Sequence, residues 1–155
     1  MKFLIEPDAP FNFELITSLY ARFPTQCVDL YHDGIFERVL ENGSRMFLAR
    51  VKSVGSVDEP KLEVEVIFSG DKQKAERVVR WILGADEDLK EFYQITARDK
   101  KFDLLVKDLY GLRPPKTPTV FEALDHCAYG TANRPAGSHC LEKEIGGKIR
   151  KISGN

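Results

Sequence analysis

Apolar and polar residues alternate in short runs through the first half of the chain, and repeat at helical spacing in longer runs after it. Phe3 and Ile5 alternate with Lys2, Leu4 and Glu6, which predicts a first strand, stopped by Pro7. Pro10 and Asn12 then open a helix whose Phe13, Ile16, Leu19, Tyr20 and Phe23 form one apolar stripe, closed by Pro24. Asp33-Gly34 is a turn signal before a strand over Ile35-Phe36-Glu37-Arg38-Val39-Leu40. Asn42-Gly43 is a hairpin signal, because both residues tolerate positive φ, and it leads into a strand from Met46 to Lys52. After a turn from Gly55 to Pro60, Leu62, Val64, Val66 and Phe68 alternate with Lys61, Glu63 and Glu65, a strand with one buried and one wet face. These runs predict an antiparallel meander.

The period then changes. Asp71 is placed to cap a helix with the stripe Ala75, Val78, Val79, Ile82 and Leu83, and Gly84 fits its left-handed C-terminal cap. Leu89, Phe92 and Tyr93 start another helix, and Phe102, Leu105, Val106 and Leu109 mark a further one ended by Gly111. Leu112-Arg113-Pro114-Pro115-Lys116 reads as an extended linker, since a residue before proline is pushed out of the helical region. Thr119 caps a last helix entered through Val120, Phe121 and Leu124. The expected class is α+β, an antiparallel sheet with helices on one face followed by a few helices. The expected division is a sheet domain over 1–84, helices and proline linker leading into a second domain over 85–124, and a tail over 125–155.

Composition narrows the class. The chain has 155 residues, 43% hydrophobic and 30% charged, which excludes a disordered chain. No apolar run nears the roughly 20 residues of a bilayer span, and Glu6, Pro7 and Asp8 cut short the apolar start, so neither a membrane segment nor a signal peptide is expected. Cys27, Cys127 and Cys140 are too few, and odd in number, for a secreted disulfide scaffold. A cytoplasmic protein is expected. Residues 1–124 carry 18 Lys and Arg against 21 Asp and Glu, so a general basic face for nucleic acid is not expected.

Candidate chemistry is sparse. His126-Cys127 and His139-Cys140 are four residues of zinc-ligand type, but zinc modules space paired ligands by two or more residues so that both reach one metal. Adjacent ligands seldom do, and no metal site is expected. Glu63 and Glu65 belong to a wet strand face, and Asp86-Glu87-Asp88 to the approach to a helix N-terminus. His32 is expected to be exposed beside its turn. Trp81 is expected to pack beside its helix's core stripe. Arg113 and Lys116 are the candidates for a phosphate contact. There is no glycine-rich phosphate loop, nucleophile elbow or His-Glu-x-x-His, so neither catalytic residues nor a cofactor are expected.

The segments PDAPFNFELITSLYARFP, YHDGIFERVL, VDEPKLEVEV and DLKEFYQITARDKKFDLLVKDLYGLRPPKTPTVFEAL, in that order, resemble the amino-terminal part of DNA-3-methyladenine glycosylase II enzymes, of the helix-hairpin-helix glycosylase superfamily. The resemblance covers about residues 1–124 and is most specific from Phe92 to Leu124. It implies a sheet domain similar to half of the TATA-binding protein, joined through LRPP and PTVFEAL to a catalytic domain. It also implies base excision repair: an alkylated base is flipped from duplex DNA and its glycosidic bond cleaved. In such enzymes a carboxylate stabilises the oxocarbenium-like transition state. The catalytic aspartate and the helix-hairpin-helix have no counterpart here, so the chain is expected to be inactive alone. DNA is then a partner through the family's function, and self-association through uncovered apolar surface is a further expectation. The alternative is a stand-alone DNA- or protein-binding module.

Residues 125–155 hold five of the chain's 11 glycines and a single aromatic residue, Tyr129, and carry no stripe. They are expected to form a disordered tail. Codons permitted for these residues, read one nucleotide later, can encode a helical segment with Gln-Gln-Ile, as the resemblance requires after Leu124. A frameshift near codon 125 is the expectation, and the nucleotide sequence downstream of codon 124 decides it.

Overall fold

The computed structural model describes residues 1–21, 29–42, 45–67, 71–114 and 116–124. Five strands, β1 (Lys2–Ile5), β2 (Asp29–His32), β3 (Ile35–Asn42), β4 (Arg45–Ser53) and β5 (Leu62–Ile67), form one sheet in the order β1-β5-β4-β3-β2. Every neighbouring pair is antiparallel. The expected α+β class is the observed one. Helix α1 (Phe13–Ala21) lies in the chain between β1 and β2, which occupy opposite edges of the sheet. The strands from β2 to β5 are the expected meander with one strand added, β2.

The registers assign the two faces. Phe3 opposes Val64, Val64 opposes Val51, and Val51 opposes Phe36, so these residues share the inner face. Phe13 and Ile16 of α1, with Ala75, Val79, Ile82 and Leu83 of α2 (Lys72–Leu83), pack against that face in one core. Ile16, Leu62, Val64, Val79 and Ile82 are all buried. Each contributes about 1.5–3 kcal/mol by leaving water. The opposite face carries ion pairs beside apolar residues such as Leu4, Val39 and Leu48: Lys52 pairs with Glu63 at 3.2 Å, and Lys2 reaches Glu63 and Glu65 at 3.9 and 3.7 Å. These two glutamates therefore stand in exposed ion pairs on the wet face, as expected.

The caps form as the sequence predicts. Asn12 Oδ1 accepts from the Leu15 amide at 3.1 Å and starts α1. Asp71 accepts from the Lys74 amide, and Gly84 ends α2 at φ 64°. Helix α3 (Lys90–Thr96) and helix α4 (Lys100–Asp108) follow, and Asp99 caps α4 by accepting from the Lys101 and Phe102 amides. Asp88 accepts from the Lys90 amide at 2.9 Å, which is the expected use of the acidic run at a helix N-terminus. Thr119 accepts from the Glu122 amide at 3.2 Å and opens a helical stretch over 120–124.

Gly111 locks the end of α4 to the start of α1. It holds φ 77°, its carbonyl accepts from the Asn12 amide at 2.8 Å, and its amide donates to the Tyr93 hydroxyl at 2.9 Å. A Cβ there would lie 2.8 Å from the Asn12 nitrogen. Nearby, the Tyr110 hydroxyl donates to Asp58 at 2.9 Å, and that bond pushes the phenol's pKa above its usual value. The turn after α4 is thus tied to the start of α1 and to the loop between β4 and β5.

The helix end at Phe23 and Pro24, Gly43 of the hairpin signal, Phe68, Pro115, the three cysteines and the entire tail, with both of its His-Cys pairs, lie outside the described residues. Within those described, no helix is long and apolar enough to cross a membrane.

Candidate functional site

Residues 112–114 and 116–117 run back along the end of α2 and are fastened to it. The Lys116 amide donates to the Ile82 carbonyl at 3.1 Å, and Trp81 Nε1 donates to the Thr117 carbonyl at 2.9 Å. The expected linker is thus a strap docked on the helix layer and not a free connection. Its two cations, Arg113 and Lys116, are the residues expected to meet a phosphate.

The fold puts them to different uses. Arg113 has 0% exposure. Its Nη1 donates to the carbonyls of Gly84, at 2.8 Å, and Glu87, and its Nη2 to those of Asp8 and Pro10, the last at 3.1 Å. The guanidinium lies 5.4 Å from the centre of the Phe11 ring. Burial lowers its pKa from the ordinary guanidinium value, with Glu87 and Asp8 opposing, and an arginine remains a cation throughout. These contacts join the approach to α1, the end of α2 and the strap. Such a side chain is not presented to a phosphate outside the protein.

Lys116 is half-buried. Its Nζ lies 2.5 Å from Glu87 Oε1 and 4.4 Å above the centre of the Trp81 ring. Trp81 is 54% exposed, so it packs on the strap and not in the core beside its helical stripe as expected. It keeps an open indole surface flanked by a cation.

A second anchor ties the strap's far end to the sheet. Arg38 and Asp29 are register partners across β3 and β2, and Arg38 Nη1 donates to Asp29 Oδ1 at 2.7 Å. Arg38 Nη2 donates to Glu122 Oε1, which lies 84 positions away in sequence. Arg38 is 2% exposed, so this is a buried cation between two carboxylates. The sequence holds a signal for it: Arg38 alternates with Phe36 and Leu40, which places a charge on the core face of β3. On the other face, Glu37 is buried, with His32 Nε2 3.5 Å away and Arg50 donating to it.

The stretch held by Glu122 turns its apolar residues outward. Phe121 is 80% exposed, and Val120 and Leu124 are also exposed. Helices α3 and α4 behave alike: Phe92, Ile95, Phe102, Leu105 and Leu109 are exposed, and of the predicted α4 stripe Val106 alone is buried. So many large exposed hydrophobics in one segment exceed the scattered apolar residues of an ordinary surface.

No cluster of metal-binding residues occurs among the described residues. No protein-family model matches the chain, and no curated protein matches it. Among solved structures, the 3-methyladenine DNA-glycosylase from Archaeoglobus fulgidus matches with a TM-score of 0.73 and 20% identity over 90% of this chain. The chain spans 48% of that protein's length. The five-stranded sheet with its helices is thus the fold of about half of a 3-methyladenine DNA glycosylase, in agreement with the likeness read from the sequence.

Proposed function

We propose that this chain is the non-catalytic amino-terminal domain of a DNA glycosylase acting on alkylated bases, working in base excision repair in the cytoplasm. The observation that carries this reading is the conjunction of the fold likeness over half a glycosylase with the uncovered apolar surface of α3, α4 and 120–124. That surface is the seat for the catalytic part. The role of residues 1–124 is to present it rigidly, with the strap and its two arginine anchors fixing the angle at which the next helix leaves. The sparse cysteines fit a reducing compartment.

The purified 155-residue chain, incubated with methylated duplex DNA, is expected to release no 3-methyladenine detectable by chromatography. Release above a protein-free control would overturn the non-catalytic reading. Grafting residues 1–124 in place of the corresponding half of the A. fulgidus enzyme gives the positive arm: a folded chimera should retain excision, and a folded but inactive one counts against the assignment.

The same surface, uncovered, is expected to drive self-association. Sedimentation velocity should show oligomers at tens of micromolar, and Phe121→Ser with Leu105→Ser should restore a monomer at little cost in stability, since both side chains are already in water. A wild-type chain that stays monomeric at such concentrations would show that the surface is not adhesive.

A further inference from the structure

The body is acidic overall, but its charge is not evenly spread. Helix α2 carries Lys72, Lys74, Arg77 and Arg80 against the single acid Glu76. The rest of residues 1–124 holds 14 basic and 20 acidic residues. One helix is therefore a basic island. Lys74, Arg77 and Trp81 fall at i, i+3 and i+7 and share its outer face, where all three are exposed. The neighbouring acids are engaged with other cations: Glu76 and Asp86 with Arg80, and Glu87 with Lys116. Lys74 has Asp71 at 3.8 Å, an exposed pair that contributes little and yields to a competing anion. Arg77 has no ion pair or hydrogen bond among the described residues, and its side chain faces water.

From this geometry we infer that the outer face of α2, Lys74, Arg77 and Trp81 with Lys116 at its border, is a contact for the phosphate backbone of DNA. The inference rests on the glycosylase reading for its choice of polyanion. Three residues spaced over two turns span about 10 Å, which matches about three phosphates along one strand at roughly 3.4 Å of axis each. Cations alone would suit any polyanion. The exposed indole adds a flat surface for sugar and base that inorganic phosphate or a sulfated sugar does not use. Trp81 is held for that purpose, with its Nε1 on the Thr117 carbonyl and Lys116 over its ring.

Trp81 is the chain's one tryptophan, so its fluorescence reports on this face directly. Titration of the full chain with a duplex and with a single-stranded oligonucleotide at low salt should give a saturable change. The logarithm of affinity should fall with the logarithm of salt at a slope of about −2 to −3, for two to three phosphates. Lys74→Glu with Arg77→Glu should weaken binding at least about tenfold and remove most of the slope. Lys90→Glu with Lys101→Glu, on α3 and α4, should leave binding within about threefold, and circular dichroism should be unchanged in both. The inference is overturned by absence of binding to either oligonucleotide, by equal losses in the two double variants, or by heparin binding as tight as DNA with the same dependence on Lys74 and Arg77. Failure here leaves the glycosylase assignment to its own excision test, since the remaining half of such an enzyme can supply the whole DNA grip.

Discussion

Replacing Arg113 by lysine is expected to destabilise the protein by about 3 kcal/mol, and by alanine by about 4 kcal/mol, although neither change removes an ion pair visible at the surface. The four carbonyls around the guanidinium, of Asp8, Pro10, Gly84 and Glu87, belong to two chain segments that the strap brings together. A buried carbonyl deprived of its donor costs about 1–3 kcal/mol, and the costs do not add in full because the segments relax. Lysine keeps the charge but not the planar fork, so its ammonium cannot reach both pairs of carbonyls from one position. Alanine adds a cavity beneath Phe11. Set against a total stability of about 5–15 kcal/mol, either change is a large fraction. Urea unfolding followed by Trp81 fluorescence should show a lower midpoint with an unchanged slope. Because Trp81 Nε1 donates to the Thr117 carbonyl, the signal reports on the strap, which should come loose in the same cooperative step as the sheet. An Arg113→Lys chain with the wild-type midpoint would mean that the carbonyl cradle contributes nothing.

How far the sequence reveals this arrangement depends on what kind of signal each part leaves. Strands β1, β3, β4 and β5 bury one face under helices, so their alternation is plain, and the caps Asp71, Gly84 and Thr119 are chemical necessities at helix ends. Strand β2 was not expected, because it is a four-residue edge whose inward residues are Asp29 and Tyr31. A buried aspartate breaks the apolar pattern, and only its partner across the strand pair explains it. Arg113 sits in a proline-rich stretch whose local signals all read as linker. What buries it is carbonyls from more than 25 positions away, to which no periodic pattern points. For α4 the sequence reads correctly up to a limit. The stripe of Phe102, Leu105, Val106 and Leu109 is real, but a stripe reports an apolar face and not whether anything lies on it. The same limit applies to Trp81, which stands exposed on the strap side although Val79 and Ile82 beside it in sequence are buried.

Arg38→Met is the second large effect, expected at about 3–5 kcal/mol, the usual cost of removing one partner from a buried ion pair. The substitution roughly keeps the side chain's length but takes the cation from between Asp29 and Glu122. Asp29 is buried on the core face, so the loss falls mainly on the β2–β3 pair, whereas Glu122 is partly exposed and can turn to water. The two arms are therefore separable. Glu122→Gln should cost only about 1 kcal/mol globally, yet it should loosen the 120–124 stretch, read as faster amide exchange at Ala123, whose amide bonds to the Thr119 carbonyl at 3.1 Å. The double variant Asp29→Leu with Arg38→Leu should recover to within about 1–2 kcal/mol of wild type, because a packed apolar pair often replaces a buried ion pair at little cost. The residual deficit would then combine the lost contact to Glu122 with the repacking of the two leucines. A small cost for Arg38→Met, below about 1 kcal/mol, would show that the guanidinium is not what holds Asp29 and Glu122 in place. If the large cost is found and Glu122→Gln frees the stretch without unfolding the sheet, then the arginine acts as a latch. It fixes the direction of the helix begun at Thr119, and so the orientation in which Val120, Phe121 and Leu124 are offered to whatever covers them.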